Sequence, residues 1–270
     1  EVSLGQPLSL SPHLGSRYPP RGMDSLRLIV NKILGRETVL EVDLLGTPLR
    51  LAIEARREIR RVRSISKEAA LVRRMFEFLS NEDVVYDIGA NIGLIGLLLA
   101  RHSEGRASHV HCFEPEPKNF DQLQRNIVEN GLTECVSAHQ IALAERAGEL
   151  ELFIRGGPGE GRHSTVVPEG STGSIRVRAE TASAFAASVG KPPDLVKIDV
   201  EGAEGRVLAG MTSLLRHDGH GPREIFMELH DKGDRDLMPD GTPIREWLAK
   251  HGYTLTWEFE RGQSRHCHYR

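Results

Sequence analysis

The stretch of sequence that decides the fold reads VVYDIGANIG, residues 84–93. Its first five residues form a largely apolar run of strand length, with Asp87 near its end. Gly89 and Gly93 then mark a tight turn, and an apolar helical pattern follows over residues 92–102. A strand, a Gly-containing turn and a helix in direct succession are typical of a doubly wound α/β sheet.

The same alternation continues toward the carboxyl terminus. The patterns predict strands at 109–114, 136–143, 195–200, 224–230 and 253–260, and helices at 117–130, 203–215 and 243–251. Because strands that alternate with helices form parallel sheets covered on both faces, the fold class is α/β. Residues 149–154 and 174–178 interrupt this order as a predicted antiparallel pair around the long loop 156–173, which is either a lid over a substrate or an insertion.

The residues before this alternation form a predicted extension, 1–65, to a domain spanning 66–270. A Pro- and Gly-containing arm comes first, then a helix at 26–34, a hairpin at 38–43 and 49–53, and a basic run at 56–63. The basic run is interpreted as a solvated face, with phosphate or an anionic surface as the alternative partner. An amphipathic helix is predicted at 66–79 with Ser66 as its N-cap.

The composition excludes several classes of protein. The 270 residues contain 35 Lys and Arg against 38 Asp and Glu, so the strongly basic footprint of nucleic-acid binding is absent. The longest apolar run, residues 92–100, is too short for a transmembrane segment. The three cysteines have no short spacing, which indicates neither a disulfide scaffold nor a cysteine zinc site and favours a reducing, cytoplasmic compartment. The chain begins without Met, so a removed upstream segment stays an open alternative.

The residues that follow the first two strands indicate a cofactor site, because ligands of doubly wound sheets bind beyond the carboxyl ends of the strands. A dinucleotide fingerprint starting at Gly89 would need glycines where Asn91 and Leu94 stand. The carboxylate of Asp87 would repel a pyrophosphate but would suit the ammonium group of S-adenosylmethionine. Glu114 follows the second strand, 25 residues after Gly89, where an acidic residue accepts hydrogen bonds from a ribose diol.

Three segments together resemble the FkbM family of S-adenosylmethionine-dependent methyltransferases: VVYDIGANIG at 84–93, FEPEP at 113–117 and DLVKIDVEGAE at 194–204. The resemblance covers roughly residues 66–260. It implies a class I methyltransferase fold, with a seven-stranded sheet whose last strand is antiparallel. It also implies that the cofactor is S-adenosylmethionine, bound by Asp87, Gly89, Ala90, Asn91, Gly93, Glu114 and Asp199, and that residues 197–201 face the reaction centre.

The fourth and fifth strands of the predicted sheet carry the candidate catalytic residues. Methyl transfer from a sulfonium is an in-line displacement, so the enzyme must align the reactants and remove a proton from a hydroxyl acceptor. Side chains alternate along a strand, and strand ends meet at one edge of the sheet. The candidates are therefore Lys197, Asp199, Glu201, Glu228 and His230.

Within this set His230 is the expected base, because imidazole titrates near neutral pH. A structural network in which Lys197 neutralises a carboxylate is the alternative, and a divalent cation held by the Asp, Glu and His side chains is another. No metal is expected. The segment His266-Cys267-His268 is interpreted as a final strand, not a metal site.

The predicted function is O-methylation of a hydroxyl on a sugar, a lipid or a secondary metabolite. The acceptor is a small molecule, a glycan or a lipid-linked hydroxyl, and no nucleic acid is expected as a partner. Two alternatives remain: an NAD-dependent oxidoreductase, disfavoured by Asp87 and the missing glycines, and a non-catalytic domain that retains the cofactor pocket.

Overall fold

The computed structural model describes residues 38–54, 56–102, 109–155, 163–164, 171–215, 221–230, 236–262 and 264–270. The predicted amino-terminal arm and the helix predicted at 26–34 lie outside these ranges, as does most of the loop 156–173. Thirteen strands are described: β1 (Thr38–Leu44), β2 (Thr47–Ile53), β3 (Val85–Ile88), β4 (Val110–Phe113), β5 (Val136–His139), β6 (Ala142–Leu143), β7 (Gly148–Arg155), β8 (His163–Ser164), β9 (Ser171–Glu180), β10 (Leu195–Ile198), β11 (Glu224–His230), β12 (Leu255–Arg261) and β13 (Ser264–Tyr269).

Seven of these strands form the central sheet in the order β12-β13-β11-β10-β3-β4-β5. The pairs from β11 to β5 are parallel, whereas β13 runs antiparallel to both β11 and β12. A doubly wound dinucleotide fold ends in the order 4-5-6, all parallel. Here β13, the last strand of the chain, instead lies antiparallel beside β11, the fifth strand of the central sheet in chain order. This arrangement confirms the predicted class I methyltransferase fold.

Seven α-helices are described: α1 (Arg56–Ser64), α2 (Ala69–Phe78), α3 (Leu94–His102), α4 (Pro117–Glu129), α5 (Ala182–Val189), α6 (Glu204–Gly210) and α7 (Ile244–Lys250). Pro117 occupies the first turn of α4, and Gly131 follows the end of the helix with a φ of +62°. The carboxylate of Glu116 caps this helix by accepting a hydrogen bond from the amide of Asn119 at 2.7 Å. The sequence patterns did not predict α5, which Thr181 and Gly190 cap.

Among the predicted elements whose bounds differ in the structure, two have a clear local cause. The helix predicted from Ser66 begins at Ala69, because Ser66 lies in a 3₁₀ turn at Ile65–Lys67 and its hydroxyl donates to the carbonyl of Arg63. The single strand predicted at 136–143 is two strands. After His139 the chain leaves the central sheet, and β6 pairs with β9 in a second sheet.

The second sheet has the order β6-β9-β7-β8, and its strands β7 and β9 form the predicted antiparallel pair. Side chains alternate along this pair: Leu152 and Val177 are buried, while Glu151 and Arg176 are exposed. One face of the second sheet therefore packs against the domain and the other faces solvent.

The amino-terminal hairpin shares the core of the central sheet. Leu44, Leu49 and Leu51 are buried in one cluster with residues of β3, α3 and α4. The buried side chain of Asn126 on α4 accepts from the amide of Ala52 at 2.9 Å and donates to the carbonyl of Ile92 at 2.8 Å. This amide thus links the hairpin to the turn that follows β3. No helix in the described ranges is long and apolar enough to cross a membrane.

Candidate active site

The turn after β3 brings the backbones of three strands together. The amides of Gly89 and Ala90 both donate to the carbonyl of Phe113 at 3.0 Å. Gly89 has a φ of +79°, and a Cβ at this position would lie 1.9 Å from the carbonyl oxygen of Asp199. Since only glycine combines this conformation with this approach, the end of β3 and the end of β10 can meet only because residue 89 is glycine.

Glu114 lies at the end of β4 with its carboxylate fixed by the backbone. Its Oε2 accepts from the amide of Asn91 at 2.8 Å, and its Oε1 accepts from the amide of Glu116 at 2.9 Å. The residue is 5% exposed, and burial raises the pKa of its carboxyl to about 7, although these two hydrogen bonds and the charge of Arg61 oppose the rise. Each oxygen keeps a further lone pair, so the group can still accept from two hydroxyls.

Lys197 joins the two aspartates of the site. Its Nζ lies 3.1 Å from Oδ1 of Asp87, 3.6 Å from Oδ2 of Asp199 and 3.3 Å from the carbonyl oxygen of Gly89. Burial alone would lower the pKa of Lys197, but the charges of Asp87, Asp199 and Glu68 outweigh it and raise the pKa. Lys197 therefore stays an ammonium that neutralises carboxylates.

Asp87 is turned away from solvent. The residue is fully buried, and its Oδ2 accepts from the amide of Gly96 on α3 at 3.0 Å. Its two oxygens thus connect α3 to Lys197 behind the turn. The predicted contact of Asp87 with the ammonium of a cofactor stays a prediction.

The loop after β10 presents two carboxylates, those of Asp199 and Glu201. Glu201 adopts a φ of +55°, which is uncommon for a residue with a side chain, and Gly202 has a φ of +99°. The fully buried Glu204 holds this conformation, since its Oε1 accepts from the amides of Gly202 at 3.1 Å and Val200 at 3.4 Å. Strained backbone that is held in place by its surroundings is typical of functional sites.

These elements surround a cleft of about 740 Å³, a volume that includes space open to solvent. Asp199, Glu201, Glu114, Gly89 and Asn91 are among the predicted residues that line it. The other lining residues are Arg61, Ile88, Phe113, Pro115, Ile141, Ala142, Leu143, Ala144, Leu150, Leu152, Val200, Ala203 and Arg206. The charged groups of the cleft are therefore mixed, and a large part of its wall is apolar.

Several of these residues were not predicted. Arg61 belongs to the basic run, but nothing in the sequence indicates which of its five arginines faces a cleft. Arg206 lines the cleft and forms an ion pair of 3.0 Å with Glu145. Leu150 and Leu152 reach the cleft from β7, which only the tertiary packing of the second sheet reveals.

Glu68 is a further acidic group beside the cleft. It precedes α2, is 19% exposed, and its Oε1 lies 3.7 Å from Nη2 of Arg261. Burial and the charge of Asp199 raise its pKa, while the cations Lys197, Arg261 and Arg61 oppose the rise. The amphipathic pattern of α2 did not indicate that Glu68 lies beside the cleft.

Glu228 lies outside the cleft lining, in a network with the last two strands. Arg261 Nη1 lies 3.0 Å from its Oε2, Ser264 Oγ donates to its Oε1 at 2.6 Å, and His266 Nε2 lies 3.4 Å from Oε2. Burial would raise the pKa of Glu228, but the hydrogen bonds from His266 and Ser264 and the charge of Arg261 lower it to about 2. Its predicted catalytic role stays a prediction.

His230 ends β11 opposite Ser264 of β13, but its side chain lies outside what the structure describes, so its role as base stays a prediction. The predicted final strand is confirmed as β13, where His268 Nε2 lies 2.7 Å from Oε2 of Glu224. Within the described ranges, no group of three or more His, Cys, Asp or Glu side chains is arranged to hold a metal ion.

Comparison with known proteins agrees with this geometry. The methyltransferase FkbM domain matches residues 87–255, more than half of the chain. The hexuronic acid methyltransferase AglP of Haloferax volcanii is 26% identical over 196 residues, which are 69% of this chain and 77% of that protein. The 31-O-demethyl-FK506 methyltransferase FkbM of Streptomyces tacrolimicus is 30% identical over 213 residues, which are 65% of this chain and 74% of that protein.

Among solved structures, the methyltransferase FkbM from Methylobacillus flagellatus KT aligns with a TM-score of 0.49 and 16% identity, over 71% of this chain and 44% of that one. The extent of the family match, together with the three segments at the ends of β3, β4 and β10, confirms the resemblance drawn from the sequence. The chain belongs to the FkbM family of methyltransferases.

Proposed function

We propose that this chain transfers the methyl group of S-adenosylmethionine to a hydroxyl of a sugar or a small metabolite. The acceptor class follows two relatives, a hexuronic acid methyltransferase and a 31-O-demethyl-FK506 methyltransferase. Membership in a methyltransferase family sets aside the NAD-dependent oxidoreductase, and the transfer assay below tests the non-catalytic alternative.

The observation that carries the proposed cofactor is the set of carboxylates on the cleft. Glu114, Asp199 and Glu201 line it together. A pyrophosphate would be repelled by this set, whereas a ligand with a ribose diol and two positive centres would be attracted. The leucines and Ile141 of the wall offer the apolar surface that an adenine ring needs.

The cofactor, when bound, supplies an electrophilic methyl group on a cationic sulfonium. Glu114 would hold the ribose hydroxyls, because the backbone amides of Asn91 and Glu116 already fix both of its oxygens. Asp199 and Glu201 would attract the positive centres of the ligand. Lys197 is a positioning residue, since it orients Asp199 and the carbonyl of Gly89 without lining the cleft.

We assign removal of the acceptor proton to the carboxyl edge of the central sheet, where β10 and β11 end. β11 continues beyond its last pairing with β10, Met227 opposite Ile198, and ends at His230. We therefore retain His230 as the proposed base, with Asp199 and Glu201 beside the reacting atoms. Glu68 is a second candidate, because it lies close enough to Asp199 and Lys197 to interact with their charges, and burial and Asp199 raise the pKa of its carboxyl.

Calorimetry with S-adenosylhomocysteine and with NAD tests the cofactor. We expect binding of the first and none of the second. Asp199→Asn should weaken binding by roughly tenfold, on the scale of one hydrogen bond to a charged group. Asp240→Asn, which changes an exposed carboxylate on a surface turn, should not. Tight binding of NAD together with no binding of S-adenosylhomocysteine would refute the proposal.

The acceptor is tested with methyl-labelled S-adenosylmethionine and a panel of hexuronic acid glycosides, neutral glycosides and hydroxylated macrolides. A methyl ether survives mild base, whereas a methyl ester is hydrolysed. Base-stable label supports a hydroxyl acceptor. Base-labile label on the hexuronic acids would show that a carboxyl group is methylated instead, and no transfer to any acceptor would favour the non-catalytic alternative.

A further inference from the structure

Every backbone amide in the turn after β3 is already engaged in a hydrogen bond. The amides of residues 89–93 donate to the carbonyl oxygens of Phe113 and Ala90 or to the side-chain oxygens of Glu114 and Asn91. An anion-binding turn instead points its amides at the ligand. An anionic group of a ligand at this turn is therefore held best by a side-chain cation.

The proposed cofactor has one such anionic group, the carboxylate at the end of its amino-acid tail. Three carboxylates line the cleft, those of Glu114, Asp199 and Glu201, and they would repel a further carboxylate that had no cation beside it. Among the described residues that line the cleft, Arg61 and Arg206 are the two cations. One of these two guanidinium groups is the partner that the tail requires.

Arg206 lies beside the apolar part of the wall. It belongs to α6, and its Nη1 lies 3.0 Å from Oε1 of Glu145, which follows β6. Ile141 and Leu143, just before Glu145 in the chain, are among the apolar residues of the cleft, where the proposed function places the adenine ring. The position of Arg206 thus suits the base end of the cofactor and not its tail.

Arg61 lies near the groups assigned to the ribose and the sulfonium. It is half-buried in the last turn of α1 and lines the cleft. Burial raises the pKa values of Glu114 and Glu68, and the charge of Arg61 opposes both rises, so Arg61 is close enough to act on both carboxylates. Glu68 in turn interacts with the charge of Asp199. Because the tail of the cofactor begins at the sulfur, Arg61 is the cation within its reach.

We infer that Arg61 binds the carboxylate of the cofactor's amino-acid tail, which makes it a specificity-determining residue for the methyl donor. A guanidinium presents two parallel N–H donors to a carboxylate, a geometry that lysine does not offer. This inference rests on the proposed function, because it concerns the same cofactor. The carboxylates of the cleft bind the hydroxyls and positive centres of the ligand, and Arg61 binds its one negative centre.

The test compares two ligands by calorimetry on the full chain. One is S-adenosylhomocysteine, and the other is its decarboxylated analogue, which keeps the adenosine and the amine and lacks only the carboxylate. Arg61→Gln should lower the preference for S-adenosylhomocysteine over the analogue by at least about tenfold, the scale of hydrogen bonds between charged groups. Arg61→Lys keeps the charge without the paired donors and should lose an intermediate amount. The matched control is Arg60→Gln, an exposed position on the same helix, which should keep the preference.

The ratio of the two affinities separates a direct contact from an effect through Glu114. Both ligands carry the same ribose, so a change in the ionisation of Glu114 after the loss of Arg61 alters both affinities alike. Titration at about pH 8.5, above the pKa of about 7, keeps Glu114 largely ionised. Urea unfolding of each variant measures any loss of stability separately.

The inference is overturned if Arg61→Gln weakens both ligands equally or changes neither affinity. It is also overturned if Arg60→Gln or Arg206→Gln lowers the preference as much, since the preference would then reflect the overall charge of the cleft. Failure of the unchanged protein to bind S-adenosylhomocysteine would refute the proposed cofactor and this inference together. Binding in which Arg61 has no part would refute the inference alone.

Discussion

At the scale of single residues, the spacing of the sequence predicted where acidic groups stand but not which way they face. Glu114 was placed by its distance from Gly89, and the structure adds the two backbone amides that fix its carboxylate. Asp87 ends the neighbouring strand and is fully buried against Lys197 and α3. A pattern cannot distinguish these two orientations, because each depends on groups that are distant in sequence.

The raised pKa of Glu114 predicts a pH-dependent cofactor affinity. Hydroxyl groups donate to the ionised carboxylate, and the pKa of Glu114 is about 7. Affinity for S-adenosylhomocysteine should therefore fall by roughly tenfold between pH 8 and pH 6, as the group takes up a proton. Calorimetry at several pH values measures this change. Glu114→Gln should bind more weakly and lose the pH dependence, and an unchanged slope in that variant would contradict the role of Glu114.

The same shift has a consequence for folding of the free protein. A carboxyl whose pKa is raised above its ordinary value of 4.5 binds its proton more tightly in the folded state. Its contribution to stability is present below about pH 4.5 and is lost as the pH rises through 7. Glu114→Gln should remove this loss, which gives the variant a readout that is independent of any ligand.

At the scale of elements, periodicity identified the strands and helices in which apolar and polar positions are clearly separated. The helix α5 was missed because its sequence, ASAFAASV, consists mostly of small residues and lacks a clear polar face. The break between β5 and β6 was missed because residues 136–143 remain apolar enough for one strand. What ends β5 is the parallel pairing of Ala142 and Leu143 with β9, a tertiary contact.

The position of β7 in the second sheet indicates that this strand contributes to ligand binding in the cleft. Leu150 lines the cleft, whereas Val177, its partner across β9, is buried and does not. Leu150→Ala removes apolar surface from the cleft wall and should weaken S-adenosylhomocysteine binding by about 1–2 kcal/mol, or roughly 5- to 30-fold. Val177→Ala should lower the free energy of unfolding without this loss of affinity. If both variants lose affinity equally, the second sheet acts on the cleft only through folding.

At the scale of the whole molecule, the two edges of the central sheet carry different networks. The carboxyl edge holds the cleft and the chain of charges from Asp87 through Lys197 to Asp199. Near the other edge, Glu224 at the start of β11 pairs with the buried His268 and with Arg270. The resemblance to the family predicted a seven-stranded sheet with an antiparallel last strand, and the structure supplies the strand order that creates both edges. The resemblance could not predict that Arg261 bridges Glu68 and Glu228, because that contact needs the carboxy-terminal hairpin to close on the amino-terminal helices.

The buried His111 and His268 and the half-buried His139 couple the stability of the molecule to pH. Burial lowers the pKa of His111 to about 3 and the pKa values of His139 and His268 to about 4, and neighbouring positive or titrating groups add to the effect. His268 is therefore neutral, which leaves its Nδ1 free to accept from Arg74 Nε at 3.3 Å while Nε2–H donates to Glu224. In His111 and His139 the Nδ1 and Nε2 atoms share one hydrogen bond of 3.0 Å.

These shifts predict acid sensitivity with a definite sign. Because the folded pKa of each histidine lies below 6.5, unfolding takes up protons, and stability is lost as the pH falls from about 6.5 toward 4. Each group contributes a slope of up to about 1.4 kcal/mol per pH unit. Glu68 and Glu114, with raised pKa values, contribute the opposite slope over part of this range, so the difference between variants is the informative quantity.

His139→Gln removes one titrating ring while keeping an amide that can donate to Nδ1 of His111. Urea unfolding of both proteins from pH 7 to pH 5 should show that the variant loses less stability on acidification than the unchanged protein, even if it is less stable at pH 7. The two curves should converge as the pH falls, since only the unchanged protein must give up a neutral histidine at position 139. Parallel curves over this range would show that His139 does not couple folding to protonation.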